Sequence, residues 1–311
     1  MLGVHPSTIG RELKRNQGER GYRYKQAQEI AEKRKLNAMS LRKSIVTVNL
    51  DVIEEKLKLQ WSPVQISGWL KNHQKFISHE TIYKHIWKDK KGGGQLYKEL
   101  RHHGKKYNKR SKGTAGRGCI PGRVDISERP IIVEEKKRLG DWELDTIVAT
   151  GQSGAIVSTV ERKSKLTKLV KVPYRTSENV TKALIDRLQE IKFYVLTMTA
   201  DNGKEFAGHK EVSEALSAEF YFATPYHSWE RGLNEHTNGL VRQYFPKNMS
   251  FQDISDDDIL GVEALLNNRP RKVLNYETPD NPFKRKKHSL VDSQTIGNTE
   301  FNNNPFKRKK T

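Results

Sequence analysis

GDWELDTIVAT (residues 140–150) is a short run rich in β-branched and aromatic residues, and it carries Asp145 in its middle. That composition predicts a strand. The segment YVLTMTADNG (194–203) is largely apolar, as expected of a buried strand, and Asp201 lies at its carboxyl end. Each predicted strand therefore delivers one carboxylate to the edge of a folded core.

A third acidic residue, Glu235, lies in LNEHTNGLVRQYF, a stretch that predicts a helix. Between Asp201 and Glu235 there are 33 residues, since 235 − 201 − 1 = 33. Asn238 and Arg242 follow Glu235 by three and seven residues, which places them on nearly the same helix face. We therefore expect Asn238 to hydrogen-bond DNA or a metal-bound water, and Arg242 to hold a phosphate.

Three carboxylates brought close together repel one another unless a cation neutralises them. A pair of divalent ions would do so, and paired ions are a common device for breaking and joining phosphodiesters. Because Mg²⁺ suits an all-oxygen ligand set, we expect Asp145, Asp201 and Glu235 to hold two Mg²⁺ ions, with Mn²⁺ able to substitute. Glu205 and Glu230 are rival third carboxylates. Glu205 lies too close to Asp201 in the chain to come from a separate element, and Glu230 falls in the turn before the helix.

The order of predicted elements indicates the fold class. Three strands, GDWELDTIVAT, GAIVSTVERKS and KLTKLVKVPYR, are close enough in sequence for an antiparallel meander. A helix capped by Ser177, the strand of Asp201, a second helix, a fifth strand and the helix of Glu235 follow. This order is that of the ribonuclease-H-like fold, an α/β core with a mixed five-stranded sheet and flanking helices. In that fold the first and fourth strands are neighbours, so Asp145 and Asp201 would meet.

Charge is distributed unevenly along the 311 residues, whose formal net charge is +20. Residues 1–140 carry 32 basic against 14 acidic side chains, and residues 141–280 carry 17 against 21. The basic excess therefore lies outside the segment that holds the carboxylates. A basic flank supplies counterion-release affinity for a phosphate backbone, so we expect double-stranded DNA as the partner. Solvated Lys/Arg faces without a ligand are the alternative.

Cysteine content and hydropathy exclude several classes of protein. The single cysteine, Cys119, excludes a disulfide within one chain and a thiolate-rich zinc site. The sequence has no run of about 18 apolar residues and no signal-peptide pattern. We expect a soluble, cytoplasmic protein with no membrane partner.

The N-terminal segment LGVHPSTIGRELKRN predicts a helix capped by Ser7 or Thr8. Gly3 suits the turn of a helix-turn-helix, but no leading helix precedes it. An ordinary basic helix is the alternative. Residues along its flank suited to bases or phosphates are Arg11, Lys14 and Arg15.

A second helical unit spans about residues 50–90. Ser62 before Pro63 is the favoured start of a helix, and ISHETIYKHIWKD predicts a recognition helix that begins at Ser78 or His79. A three-helix packing module without DNA contact is the alternative. The side chains expected to face outward toward DNA are Thr81, Lys84, His85 and Lys88.

Five regions follow from these patterns. They are a truncated helix-turn-helix with a basic helix (1–45), a second helix-turn-helix-like module (46–90), a basic Gly-rich linker (91–136), the α/β catalytic core (137–282) and a basic tail (283–311) in which NPFKRKK recurs.

These motifs together resemble a DDE transposase of the bacterial insertion-sequence IS-thirty family, with its ribonuclease-H-like integrase core. The matching stretches are STIGRELKRN, WSPVQISGWL, ISHETIYKHI, LYKELRHHGKKYNKR, GDWELDTIVA, TADNGKEF, PYHSWERGLNEHTNGLVRQYFPK and NNRPRKVLNYETP. They occur in order from the first residues to about 282. Asp141 occupies the position at which the family signature has a histidine, and we expect it at the surface.

The resemblance implies that Asp145, Asp201 and Glu235 form the catalytic triad. It also implies metal-dependent DNA strand cleavage at the terminal inverted repeats of a mobile element, followed by strand transfer into a target. A homo-oligomer would bridge the two element ends, acting in the bacterial cytoplasm at the nucleoid. The alternative function is a catalytically defective repressor that binds element ends.

Overall fold

The computed structural model describes residues 3–47, 50–101, 120–149, 154–225 and 232–279. The predicted tail (283–311) and the middle of the predicted linker (102–119) lie outside these residues.

A five-stranded mixed sheet forms the centre of the molecule, with strand order β3-β2-β1-β4-β5. The first three strands form the predicted antiparallel meander, and β4 runs parallel to both β1 and β5. The strands are β1 (Asp141–Val148), β2 (Ala155–Glu161), β3 (Thr167–Val172), β4 (Thr197–Ala200) and β5 (Glu219–Phe222).

Helices cover both faces of the sheet, each over its own apolar cluster. Trp142 and Leu144 of β1 pack into the cluster that includes α7 and α8, whereas Ile147 packs into the cluster that includes α9 and α10. The helices of this part are α6 (Ile132–Glu135), α7 (Ser177–Leu188), α8 (His209–Leu216), α9 (Gly232–Tyr244) and α10 (Asp256–Asn267). The strand directions, strand order and intervening helices confirm the predicted ribonuclease-H-like α/β class.

The start of α7 differs by one residue from the prediction. Thr176, rather than Ser177, is the N-cap, and its side chain accepts a hydrogen bond from the backbone N–H of Asn179. The apolar stripe of this helix is buried as expected, at Val180, Leu184 and Leu188. Thr176 is the cap because it still has the extended backbone angles that an N-cap requires, whereas Ser177 is already the first helical residue.

Asp141 is fully buried, so the expectation of a surface position was wrong. Its carboxylate receives hydrogen bonds from the guanidinium of Arg138 (2.9 Å for Nη2) and from the hydroxyl of Thr197 (2.8 Å). A buried carboxylate needs such partners. Asp141 therefore ties the start of β1 to the start of β4.

Residues 50–101 form a separate helical module with its own apolar cluster. Ser62 and Gln65 make a capping box at the start of one helix, and Ser78 caps the next, as predicted. Leu96, Tyr97 and Leu100, in the predicted linker, pack against this cluster. The three helices are α3 (Leu50–Lys58), α4 (Pro63–Asn72) and α5 (His79–Lys91).

The C-terminal part of the predicted linker, residues 120–136, packs on the sheet. Ile120 joins the apolar cluster beneath α7 and α8, Val133 is fully buried, and the carbonyl of Val124 accepts a hydrogen bond from Phe222 N (2.9 Å). The boundaries of the five regions stay predictions.

The first helix, α1 (Pro6–Asn16), begins two or three residues earlier than the predicted cap at Ser7 or Thr8 implies. His5 is its N-cap, because the imidazole accepts the backbone N–H of Ser7, and Pro6 occupies the first helical position. It packs against α2 (Tyr24–Thr47), where Arg34 donates to the side chain of Asn16.

Side chains and loops satisfy the backbone at both outer strands of the sheet. On β3, Asn267 of α10 accepts from the N–H of Thr167 (2.8 Å) and donates to its carbonyl (2.7 Å). Glu263 of α10 accepts from the N–H of Leu169 (2.7 Å). On β5, the carbonyl of Val124 accepts a hydrogen bond from the backbone N–H of Phe222.

Among the described residues, no helix is both long and apolar enough to span a lipid bilayer.

Candidate active site at the ends of β1 and β4

Asp145 lies on β1, the central strand of the sheet, and Asp201 lies at the end of its neighbour β4. The parallel register pairs Glu143 with Thr199, so continuing it by two residues brings Asp145 beside Asp201, which directly follows β4. Both side chains are half-buried. The predicted adjacency of their two strands is therefore present in the fold, whereas the meeting of the two carboxylates stays a prediction.

Asn238 joins α9 to the first aspartate. Its amide nitrogen donates to Oδ2 of Asp145 (2.8 Å), and its amide oxygen accepts from the hydroxyl of Ser158 on β2 (2.8 Å). Side chains alternate between the faces of a strand, and Asp145 shares the face of Ile147, which α9 covers. The prediction that Asn238 would contact DNA or a metal-bound water stays a prediction, because here the amide contacts the carboxylate directly.

Glu235 is exposed near the start of α9, three residues before Asn238. Residues three apart are neighbours on a helix surface, so Glu235 lies one turn from the contact with Asp145. Among the described residues, no three acidic, histidine or cysteine side chains are gathered closely enough to hold a metal ion. The two aspartates thus belong to adjacent strands, and Glu235 lies on the helix beside them. The three carboxylates are not close enough together to share one metal ion.

The loop after Asp201 is shaped by close contacts. The N–H of Gly203 donates to Oδ1 of Asp201 (2.9 Å), and the amide of Asn202 donates to the carbonyl of Ala223 (2.6 Å). A Cβ on Gly203 would lie 2.8 Å from Oδ1 of Asp201 and would also collide with the carboxylate of Glu205. A side chain at this position would therefore have to displace the carboxylates of Asp201 and Glu205.

Glu205 lies beside this loop although the sequence argument set it aside. Only 5% of the residue is exposed, and its Oε1 accepts the hydroxyl of Thr146 (2.8 Å), with Nη1 of Arg175 at 3.7 Å. Thr146 points to the opposite face of β1 from Asp145. Glu205 therefore approaches from the other side of the sheet, whereas Glu235 shares the α9 side with Asp145. Its neighbour, the buried Phe206, was the sequence signal that this segment enters the core.

Arg242 packs inward in this structure. Its Nη2 donates to the carbonyl of Val148 at the end of β1 (2.6 Å), and its guanidinium lies 5.7 Å from the ring centre of Phe251. Desolvation by burial lowers the pKa of Arg242. The phosphate contact expected of Arg242 stays a prediction, and the observed contacts anchor α9 to β1.

The other residues expected at DNA lie on the two helical parts. Lys84 and Lys88 are exposed on α5. Thr81 is half-buried, with its hydroxyl 2.9 Å from that of Ser78, and His85 is half-buried with Nε2 3.0 Å from Oε1 of Glu54. The predicted residues on α1 are all exposed, namely Arg11, Lys14 and Arg15.

The fold and site define a class of protein: a ribonuclease-H-like α/β core with aspartates at the adjacent strands β1 and β4, joined to basic helical parts. A transposase for insertion sequence element IS4351 from Bacteroides fragilis is 46% identical over 288 residues, which cover 91% of this chain and 88% of that protein. Transposase InsI for insertion sequence element IS30A from Escherichia coli (strain K12) is 36% identical over 302 residues, with 91% and 77% covered. A transposase for insertion sequence element IS1086 from Cupriavidus metallidurans is 37% identical over 288 residues, with 89% and 85% covered.

This chain therefore belongs to the IS30 (IS-thirty) family of insertion-sequence transposases, as its motifs predicted. No protein-family model matches it. Among solved structures, the catalytic core domain of BIV integrase is 21% identical and covers 49% of this chain and 99% of that chain, with a TM-score of 0.37. That score is too low to support the assignment by itself.

Proposed function

We propose that this transposase cleaves DNA strands at the terminal inverted repeats of an insertion sequence and joins them to target DNA. Asp145, Asp201 and Glu235 are its catalytic carboxylates in this proposal. The observation that carries it is the hydrogen bond from Asn238 to Asp145. That contact brings the helix of Glu235 to the same end of the sheet as the two aspartates.

The donor set fits a divalent metal. Asp145, Asp201 and Glu235 offer only carboxylate oxygens, which are the hard ligands that Mg²⁺ and Mn²⁺ prefer. When bound, a pair of such ions would activate the attacking oxygen and stabilise the leaving oxygen of a phosphodiester.

The chain's own groups orient these carboxylates. Asn238 and the N–H of Thr146 each donate to one oxygen of Asp145, and the N–H of Gly203 donates to Asp201. Such donors restrict the rotation of a carboxylate and so prepare it to hold a cation. Glu235 is reachable from solvent, where DNA would approach.

The partner in this proposal is double-stranded DNA, both the element's terminal repeats and the target. Lys84 and Lys88 on α5 would contact its backbone, together with the basic flank of α1. A homo-oligomer would hold two element ends together. The protein would act in the bacterial cytoplasm, at the nucleoid.

The test is divalent-metal-dependent cleavage of a labelled duplex that carries the element's terminal repeat. We expect the wild type to cleave, and Asp201→Asn to bind the duplex with nearly unchanged affinity but not cleave it. The Asn side chain keeps the size of the carboxylate and removes its charge. Binding without cleavage by both proteins would contradict the proposal and support the repressor function.

A second comparison assigns the third carboxylate. Glu235→Gln should abolish cleavage as Asp201→Asn does. Wild-type activity in Glu235→Gln would remove Glu235 from the triad.

A further inference from the structure

A cleft of about 320 Å³ lies between the helical module of residues 50–101 and the catalytic core. The start of α4 and the segment around Arg101 form one wall, and His236 on α9 with Arg269 and Arg271 form the other. His236 and Asn238 are two residues apart on a helix, so they point in nearly opposite directions. The cleft therefore lies behind α9, on the side away from Asp145.

Three arginines concentrate positive charge at the cleft. Arg101 reaches across to α9, where a Cβ on Gly239 would lie 2.7 Å from its Nη2. Among the described residues, no carboxylate forms an ion pair with Arg101, Arg269 or Arg271. Glu99 also lines the cleft.

Arg269 makes this arrangement unusual, because only 3% of it is exposed. Within the described part of the chain, its guanidinium hydrogen-bonds neutral groups, namely the Tyr244 hydroxyl and, at 3.4 Å each, the amide oxygens of Gln60 and Gln243. The Nε atoms of Arg269 and Arg271 are buried without a hydrogen-bond partner. Buried charges are normally paired, so a partner beyond the described residues is indicated.

The pKa values of two cleft residues, Arg271 and His236, reflect the positive charge gathered there. Burial and the neighbouring charge of Arg269 lower the pKa of Arg271 to about 10. Desolvation, with the charges of Arg271 and Arg101, lowers the pKa of His236. An anion in the cleft would reverse these electrostatic contributions.

We propose that this cleft binds a backbone phosphate of the DNA that the transposase holds, with Arg101, Arg269 and Arg271 as its ligands. Guanidinium groups match the geometry of phosphate oxygens, and the cavity has the size of a ligand site. The assignment to DNA rests on the proposed function. It follows from the position of the cleft between α5, with its exposed lysines, and α9, which carries Glu235.

The experiment measures DNA affinity as a function of salt, using the full chain and a terminal-repeat duplex with EDTA present. Because no metal is present, the result does not depend on cleavage, so this proposal and the catalytic one can fail separately. Arg271→Gln and Arg101→Gln should each weaken binding several-fold. Each should also reduce the slope of log affinity against log salt by about 0.9, the contribution of one phosphate contact.

Lys272→Gln is the matched control, because it removes one charge from an exposed side chain next to Arg271. We expect it to leave the slope unchanged. If Arg271→Gln does not fold, Arg101→Gln decides alone, since Arg101 is exposed. An unchanged slope in the folded arginine variants, or an equal loss in Lys272→Gln, overturns the proposal.

A second arm separates DNA phosphate from free phosphate. The Tm of the wild type is measured in inorganic phosphate and in chloride at equal ionic strength. A rise in Tm that Arg271→Gln abolishes, together with an unchanged DNA slope, would show a site for the free ion and overturn the DNA assignment. A reduced DNA slope in the arginine variants supports the assignment, whether or not inorganic phosphate raises Tm.

Discussion

The carboxylate of Asp145 is held by two donors that come from different parts of the chain. The N–H of Thr146 binds Oδ1 at 2.9 Å, and the amide of Asn238 binds Oδ2 at 2.8 Å. The amide is itself fixed by Ser158, which donates to its oxygen. This relay from β2 through α9 to β1 sets the direction of a carboxylate that is proposed to bind metal.

Asn238→Ala should therefore impair catalysis more than folding. Removing a group that orients a metal ligand typically costs about 10–100-fold in metal affinity or activity. We expect cleavage by Asn238→Ala to need more Mg²⁺ and to be slower at saturation, with duplex affinity retained.

Ser158→Ala provides the partner for a double-mutant cycle. If Ser158 acts through Asn238, the double variant should be little worse than Asn238→Ala alone. Additive losses would show that the two side chains act separately, and wild-type metal dependence in Asn238→Ala would exclude its orienting role.

The surroundings of some single residues could not be predicted from the sequence. Asp141 was expected at the surface because acidic residues are seldom fully buried unless they are paired. One partner, Arg138, lies three residues away and was visible, but Thr197 is 56 residues distant. Glu205 was set aside because it lies close to Asp201 in the chain, and its contact with Thr146, 59 residues away, becomes visible only in the folded sheet. Long-range side-chain pairs of this kind leave no periodic signal.

At the scale of elements, α9 connects the two halves of the candidate site. It carries Glu235 and Asn238 toward the sheet edge, and Leu240, Val241 and Tyr244 anchor it in the apolar cluster. Arg242 adds a polar anchor through the carbonyl of Val148. The position of this helix thus decides how far Glu235 lies from the aspartates.

Arg242→Gln distinguishes an anchor from a phosphate ligand. If the inward contacts define its role, the variant should lose about 1 kcal/mol of unfolding free energy, because the half-buried carbonyl of Val148 loses its charged donor. The salt slope of DNA binding should then stay unchanged. The measurements are denaturant unfolding and DNA titration at several salt concentrations.

The opposite pattern would restore the phosphate role that the sequence suggested for Arg242. In that case the stability would be retained and the slope would fall by about 0.9.

Most elements were predictable because their signals are local. Strand composition identified the meander, and cap residues with apolar stripes identified α4, α5 and α7. The packed ends of the predicted linker were not predictable. Leu96 and Ile120 are isolated apolar residues in basic, Gly-rich surroundings, and only the folded clusters reveal where they bind.

At the scale of the whole molecule, the helical module rests on the C-terminal part of the core. Gln65 donates to the carbonyl of Pro270 (2.9 Å), and Asn72 donates to that of Asn275 (2.6 Å). Gly68 on α4 faces the ring of Tyr276 so closely that a Cβ would overlap it. The module is therefore held in place by these two hydrogen bonds and by the close contact between Gly68 and Tyr276.

Gly68→Ala should separate the module from the core without unfolding either. Overpacking of this kind typically costs about 1–3 kcal/mol. We expect a lower Tm and faster proteolysis between the two parts.

Gly10→Ala is the matched control, because Gly10 is also helical but has open space around it. It should be neutral or slightly stabilising. Adding Tyr276→Ala to Gly68→Ala should recover the lost stability. No recovery would mean that the ring is not the obstacle.

The covering of the two outer strands has a consequence for assembly. A bare outer strand invites another chain to extend the sheet, which leads to aggregation or strand exchange. Here Asn267 and Glu263 occupy backbone groups of β3 that such a strand would use, and Val124 occupies one on β5. Copies that gather on DNA at high local concentration, as the proposed homo-oligomer requires, would thereby be discouraged from polymerising through their sheets. The proposed oligomer would then have to form through helices and side chains.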